Sequence, residues 1–193
     1  MSDKCDPVGA LSDPVEARLR IRALGPSDRR LLTIGFDRLS RESRRSRYFR
    51  PKNQLTEDEL SQLTRCDGNG HLALGAFELS KDGVETAVIG VARYFRLAQN
   101  PGTAELSVAV VDDRQGRGVG RHLVRCLLEE ARSRGITHMI CHVLADNERM
   151  LKLAQSVFDD AILQRQGDVI SGDFRISGRS NAPLSKASFH PEG

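Results

Sequence analysis

The chain has 193 residues, 39% of them hydrophobic and 28% charged, with 29 basic residues against 26 acidic ones. That balance describes one globular domain able to build its own core, and it excludes fibrous and wholly disordered classes. The net charge of +3 is too mild to indicate nucleic acid by itself, and no run approaches the roughly 18 apolar residues of a membrane helix. The N-terminal stretch carries acids and no apolar core, unlike a signal peptide. The expected compartment is the cytoplasm.

Residues 1–16, with two prolines and no periodicity, read as a flexible tail. Arg18 to Ala23 alternates with period two, the pattern of a half-buried strand. Gly25-Pro26-Ser27-Asp28 breaks it and opens a helix through about residue 40. Residues 38–52 then hold seven basic residues and one acid. They read either as a solvated, partly mobile face or as a grip on an anionic ligand or acidic partner. Within them, Tyr48 and Phe49 suit the core or the entrance of an acceptor site.

Thr56 and Glu59 have capping-box spacing, so a short helix is expected to Cys66. His71 to Leu79, Thr86 to Phe95 and Thr103 to Val111 read as an antiparallel meander, with Lys81-Asp82-Gly83 as the first hairpin turn. From Gly116 the period changes. Val119, Leu123, Cys126, Leu127 and Ala131 make one face of a helix that Gly135 ends. A strand over 136–144, a helix over 147–157, and strands over 161–166 and 171–177 follow, and 178–193 reads as a second tail. One mixed sheet flanked by helices accounts for this order. The four cysteines, at 5, 66, 126 and 141, lack zinc or redox spacing, and no metal site is expected.

The chemistry concentrates in VVDDRQGRGVGRHL, residues 110–123. A strand ends, Gly116, Gly118 and Gly120 crowd the turn, and a helix begins. Glycines let backbone N–H groups approach a ligand, and a helix N-terminus adds unpaired donors and partial positive charge. Such a loop suits a pyrophosphate, with Arg117 and Arg121 adding charge-assisted bonds. It fits neither the P-loop nor the dinucleotide fingerprint.

Gln115-Gly116-Arg117-Gly118-Val119-Gly120 reads Q-x-x-G-x-G. It resembles the acyl-CoA pyrophosphate loop of the GNAT superfamily of N-acetyltransferases. The strand before it, the helix after it and Asn147 opening the next helix also suit that family. SRESRRSRYF, VIGVARYF, AELSVAVVDDRQGRGVG and VLADNERMLKLAQ look like the catalytic domain of bacterial protein-lysine acetyltransferases of Pat type. The resemblance implies a GNAT domain over 17–177. Its fold would be a mostly antiparallel mixed α/β (α+β) sheet of six to seven strands, with a splayed cleft between the fourth and fifth.

It also implies acetyl-CoA as co-substrate and direct attack by an amine, foremost a protein lysine. The family pattern assigns Glu105 as base. Backbone groups of Val108 and Val110 would hold the pantetheine arm, Gln115 to Arg121 the pyrophosphate, and Asn147 the CoA arm. Glu105 shares a strand face with Ser107 and Ala109; its other reading is a surface carboxylate paired with an arginine such as Arg93. Asn147 also suits a helix cap. The last helix lacks the Tyr that many members use as an acid, and Ser156 is the hydroxyl within it. Other readings are a small-molecule amine acceptor, a non-catalytic acyl-CoA sensor and a nucleic-acid binder, the last weakened by having only Tyr48 and Phe49 to stack.

Overall fold

The computed structural model describes residues 19–158 and 161–176, so both expected tails, and Cys5 with them, lie outside the described residues. The strands are β1 (Leu19–Ala23), β2 (His71–Leu79), β3 (Glu85–Leu97), β4 (Asn100–Val110), β5 (His138–Leu144), β6 (Ala161–Gln166) and β7 (Val169–Arg175). The helices are α1 (Arg29–Asp37), α2 (Arg41–Tyr48), α3 (Glu57–Thr64), α4 (Val119–Ser133) and α5 (Glu148–Val157). No helix among the described residues is long and apolar enough to cross a membrane.

All seven strands form one sheet in the order β1-β2-β3-β4-β5-β7-β6. Only β4 and β5 run parallel, because α4 carries the chain across the sheet between them. Strand alternation splits the core. Leu72, Leu74, Ala92, Tyr94 and Leu106 pack with Leu123 and Leu127 of α4. On the opposite face Ala73, Phe77, Val88 and Val91 pack with Leu32 of α1 and Leu60 and Leu63 of α3. The stacked rings of Phe158 and Phe174, 4.1 Å apart, join the end of α5 to β7.

The local signals act as their chemistry dictates. Asp28 accepts from the Gly25 N–H at 2.8 Å and from both ends of the Arg22 guanidinium, tying the start of α1 to β1. The Thr56–Glu59 capping box forms at the start of α3. Gly135 takes φ +77° just past α4.

One expectation needs correcting. The first helix does not run to residue 40; it stops at Asp37, and 41–48 form a second helix that buries none of its residues fully. Ser40 caps it by accepting the Ser43 N–H, and Phe49 ends it at φ +57°. Phe49 is 44% exposed and is therefore not a core residue.

Gly35 lets α1 lie directly on the sheet: a Cβ there would stand 1.8 Å from the Val88 carbonyl oxygen. Backbone cannot yield that much, so Gly35→Ala is expected to destabilise the fold by roughly 1–3 kcal/mol or more. Urea unfolding measures this; an unchanged midpoint and slope would contradict the close approach.

Candidate functional site

β4 and β5 pair only at Thr103–His138, Ala104–Met139 and Glu105–Ile140. Beyond that ladder the facing edges are free. The Val111 N–H donates to Ile89 O on β3 at 2.9 Å. The alternation of an antiparallel ladder then turns Ala109 and Ser107 backbone groups toward β3, and those of Val108 and Val110 toward the gap. These half-buried backbone groups have no partner strand to meet, so this edge is open to a ligand.

The gap leads into the glycine loop. Gly116 and Gly118 sit at φ +73° and +84°, a region L side chains rarely adopt. Gly118 is the N-cap of α4, and no side chain caps that helix. The N–H groups of its first turn stay available to an anion, with the helix dipole behind them. At Gly120 a Cβ would lie 3.4 Å from Leu153 and 3.5 Å from Val110, ordinary contact distances, so packing alone does not demand a glycine there. Val119 is buried in the core, whereas Arg117 and Arg121 are exposed beside the loop. Arg121 donates to the Ser156 carbonyl at 3.0 Å.

Gln115 acts differently from its glycine neighbours. Its side-chain amide donates to Val110 O at 2.9 Å and to Ser43 Oγ at 3.2 Å, and its oxygen accepts from Arg149 at 2.5 Å. One side chain thereby ties β4, α2 and α5 around the loop. Asp112 adds to this, accepting from the Ser40 N–H and the Ser43 hydroxyl. Arg45 reaches from α2 to Asp146 at 2.9 Å, at the corner where β5 enters α5. Asn147 caps α5, its side-chain oxygen accepting the Met150 N–H at 3.1 Å. Ser156 Oγ donates back to Leu153 O at 2.8 Å.

Glu105 stands at the last rung of the β4–β5 ladder, exposed, on the face opposite α4. Among the described residues its carboxylate makes no hydrogen bond or ion pair, so it is not the partner of Arg93. Arg93 lies on the same face, cross-strand from Ser107, and is 3% exposed. It donates to Leu63 O at 3.2 Å and lies 3.4 Å from His71 Nε2. Arg47 and Tyr48, from α2, meet it across a cavity of about 50 Å³ floored by Val91 and Ala109.

The convergence of Arg47 and Arg93 has no signal in spacing. Burial first, and the Arg47 charge second, pull Arg93 down to about 10. Burial likewise pushes Arg47 below the usual guanidinium value and raises the Tyr48 hydroxyl. Among the described residues, no group of three or more His, Cys, Asp or Glu side chains is placed to hold a metal ion. Cys141 is buried, its thiol pushed up to about 11 by burial.

Residues 37–158 match the acetyltransferase (GNAT) family. Acetyltransferase Pat of Mycolicibacterium smegmatis is 38% identical over 107 residues, 55% of this chain and 31% of that protein. The chain thus spans about a third of that relative's length. Acetyltransferase PA5475 of Pseudomonas aeruginosa is 31% identical over 133 residues, 69% of this chain and 70% of that protein. Among solved structures, the GNAT domain of S. lividans PAT superposes with a TM-score of 0.73 at 26% identity, covering 81% of this chain and 90% of that one.

His71 makes the Arg93 site sensitive to acid. Burial first, and the Arg93 charge second, lower its pKa from 6.5 to about 4. Above pH 6.5 folded and unfolded states both hold it neutral. Between pH 6.5 and 4 only the unfolded state takes the proton, so stability falls as pH falls through that window. The loss attributable to this residue should be on the order of 2–3 kcal/mol. Denaturant unfolding at pH 7 and pH 4.5, compared with His71→Gln, measures it. An equal acid loss in the variant would show that His71 does not titrate in this way.

Proposed function

The chain belongs to the acetyltransferase (GNAT) family, and on that premise we propose that it moves an acetyl group from acetyl-CoA to a primary amine, a protein lysine side chain. The observation that carries this reading is the free β4 edge at Val108 and Val110, leading into a glycine loop whose helix has no side-chain cap. A long ligand with an amide-bearing arm and a pyrophosphate is complementary to both parts at once. Acetyl-CoA supplies an acetyl thioester, whose thiolate leaves readily because its thiol pKa is near 8.5.

Each residue then has a role set by its surroundings. The N–H and C=O groups of Val108 are placed to hydrogen-bond the pantetheine amides, and the Val110 N–H is suited to polarise the thioester carbonyl, while the Val110 carbonyl is held by Gln115. Backbone N–H groups from Gly116 to Gly120 hold the pyrophosphate, with Arg117 and Arg121 adding charge. Gln115 is a positioning residue, since its side chain is taken up by Val110, Ser43 and Arg149. Asn147 caps α5 through its oxygen, which leaves the amide nitrogen for the CoA arm. Ser156 donates to its own helix, so no role as acid is assigned to it.

Glu105 takes the proton from the incoming ammonium, which at pH 7 is mostly protonated at a pKa near 10.4. Its support is its position at the end of the ladder and, among the described residues, the absence of an ion pair that would occupy it. The domain carrying this chemistry is proposed as residues 17–177. The family resemblance to protein-lysine acetyltransferases supports the lysine acceptor.

Glu105→Gln should lower kcat by roughly 10²–10⁴ while acetyl-CoA affinity changes little. Thiol release with a lysine-rich protein as acceptor, beside a binding isotherm, measures both. Turnover in the variant equal to wild type would remove Glu105 from the mechanism. Binding without turnover in either protein would favour an acyl-CoA sensor.

A further inference from the structure

Arg47 and Arg93 converge on a cavity of about 50 Å³ together with Tyr48. Neither guanidinium forms an ion pair among the described residues. Arg93, at 3% exposure, has only neutral neighbours within hydrogen-bonding reach: the Leu63 carbonyl and His71. His71 is itself neutral at pH 7, its pKa lying at about 4. Tyr48 and Glu105 offset part of the Arg47 charge. Other carboxylates nearby are occupied, as Glu59 is by Lys52 at 2.6 Å.

A buried guanidinium, that of Arg93, beside the half-buried Arg47 and with no ion pair among the described residues, is costly to keep. Proteins ordinarily place a carboxylate beside such a group, and the planar fork of arginine is matched to one. The cavity is of a size for a carboxylate group, and its remaining walls are apolar: Phe36, Leu55, Leu63 and Val91. It opens on the face of the sheet that carries Glu105, away from α4 and the glycine loop. Arg93 pairs with Ser107, so Glu105 is its diagonal neighbour across β3 and β4. Such neighbours are roughly 7–8 Å apart.

We propose that Arg47, Arg93 and Tyr48 form a carboxylate-binding subsite, so that the amine acetylated at Glu105 belongs to a molecule that also carries an acid group. This rests on the acetyltransferase reading above and narrows its acceptor. The carboxylate belongs either to a free amino acid or to an acidic residue beside the acceptor lysine of a protein. In both cases the acid enters the cavity and neutralises the two guanidiniums, and the amine is delivered to Glu105.

The test uses the full chain with saturating acetyl-CoA and two acceptor pairs. L-lysine and cadaverine differ by one carboxylate. A short peptide with glutamate beside its lysine, and the same peptide with glutamine there, differ likewise. The acid-bearing member of one pair should have the higher kcat/KM by roughly ten-fold or more, and the pair that discriminates identifies the source. Arg47→Gln, at a half-buried position on α2, should bring that ratio toward one. Ratios near one in both pairs for the wild type, or a ratio that survives in the variant, would overturn the subsite.

Calorimetric titration with glutarate separates this from the function itself. If no acceptor turns over, glutarate binding that is lost in Arg47→Gln still supports the subsite while the acetyltransferase reading fails. No glutarate binding to the wild type in that case overturns the subsite as well.

Discussion

Thr103, Ala104 and Glu105 pair with His138, Met139 and Ile140, and past those three rungs the two central strands part. The site is organised by that divergence. A closed ladder would satisfy Val108 and Val110 from the neighbouring strand, as Ile89 satisfies Val111. The open ladder leaves them facing a gap in the middle of an otherwise continuous sheet. The backbone groups that face the gap, the left-handed glycines of the following turn and the start of α4, which has no side-chain cap among the described residues, lie in sequence along one path. The surrounding ties keep that path open. Gln115 fixes the loop to β4, α2 and α5, and Arg45 fixes α2 to the β5–α5 corner.

The sheet also divides the chemistry by face. On the α4 side are the apolar core and the loop that suits an anionic ligand. On the α1–α3 side are Glu105, Arg93, Arg47 and Tyr48. Among the described residues, an exposed carboxylate without an ion pair stands one diagonal step from a buried arginine that also lacks one. The exposed carboxylate is solvated, whereas the buried guanidinium is costly to leave unpaired. Keeping them apart leaves a base for an amine and a cationic pocket for an acid, and thus a physical basis for choosing among acceptors.

Much of the fold was legible because its signals are local. The meander from 71 to 110, the capping box at Thr56 and the helix ended by Gly135 follow from alternation, side-chain caps and glycine, and the structure has them within a few residues. The segment at 41–48 was misread for a physical reason. RESRRSRY has no apolar periodicity and buries none of its residues fully. The helix is held instead by the Ser40 cap and by polar ties to Asp112 and Asp146, and neither tie is visible in spacing. The glycine loop was legible as an anion site, whereas the engagement of Gln115 was not. The Arg47–Arg93 cavity depends on a helix and a strand that only the tertiary fold brings together. Arg93 in VIGVARYF looks like the outward member of an alternating strand until α2 and α3 cover it.

The central claim is that the free β4 edge and the glycine loop together bind acetyl-CoA. Titration of acetyl-CoA into the purified protein by calorimetry, beside Gly118→Asp, tests it most directly. The substitution puts a side chain and a negative charge where the loop would meet a pyrophosphate. The account predicts micromolar binding to the wild type and its loss in the variant. No binding to the wild type, or equal binding to both proteins, would contradict it.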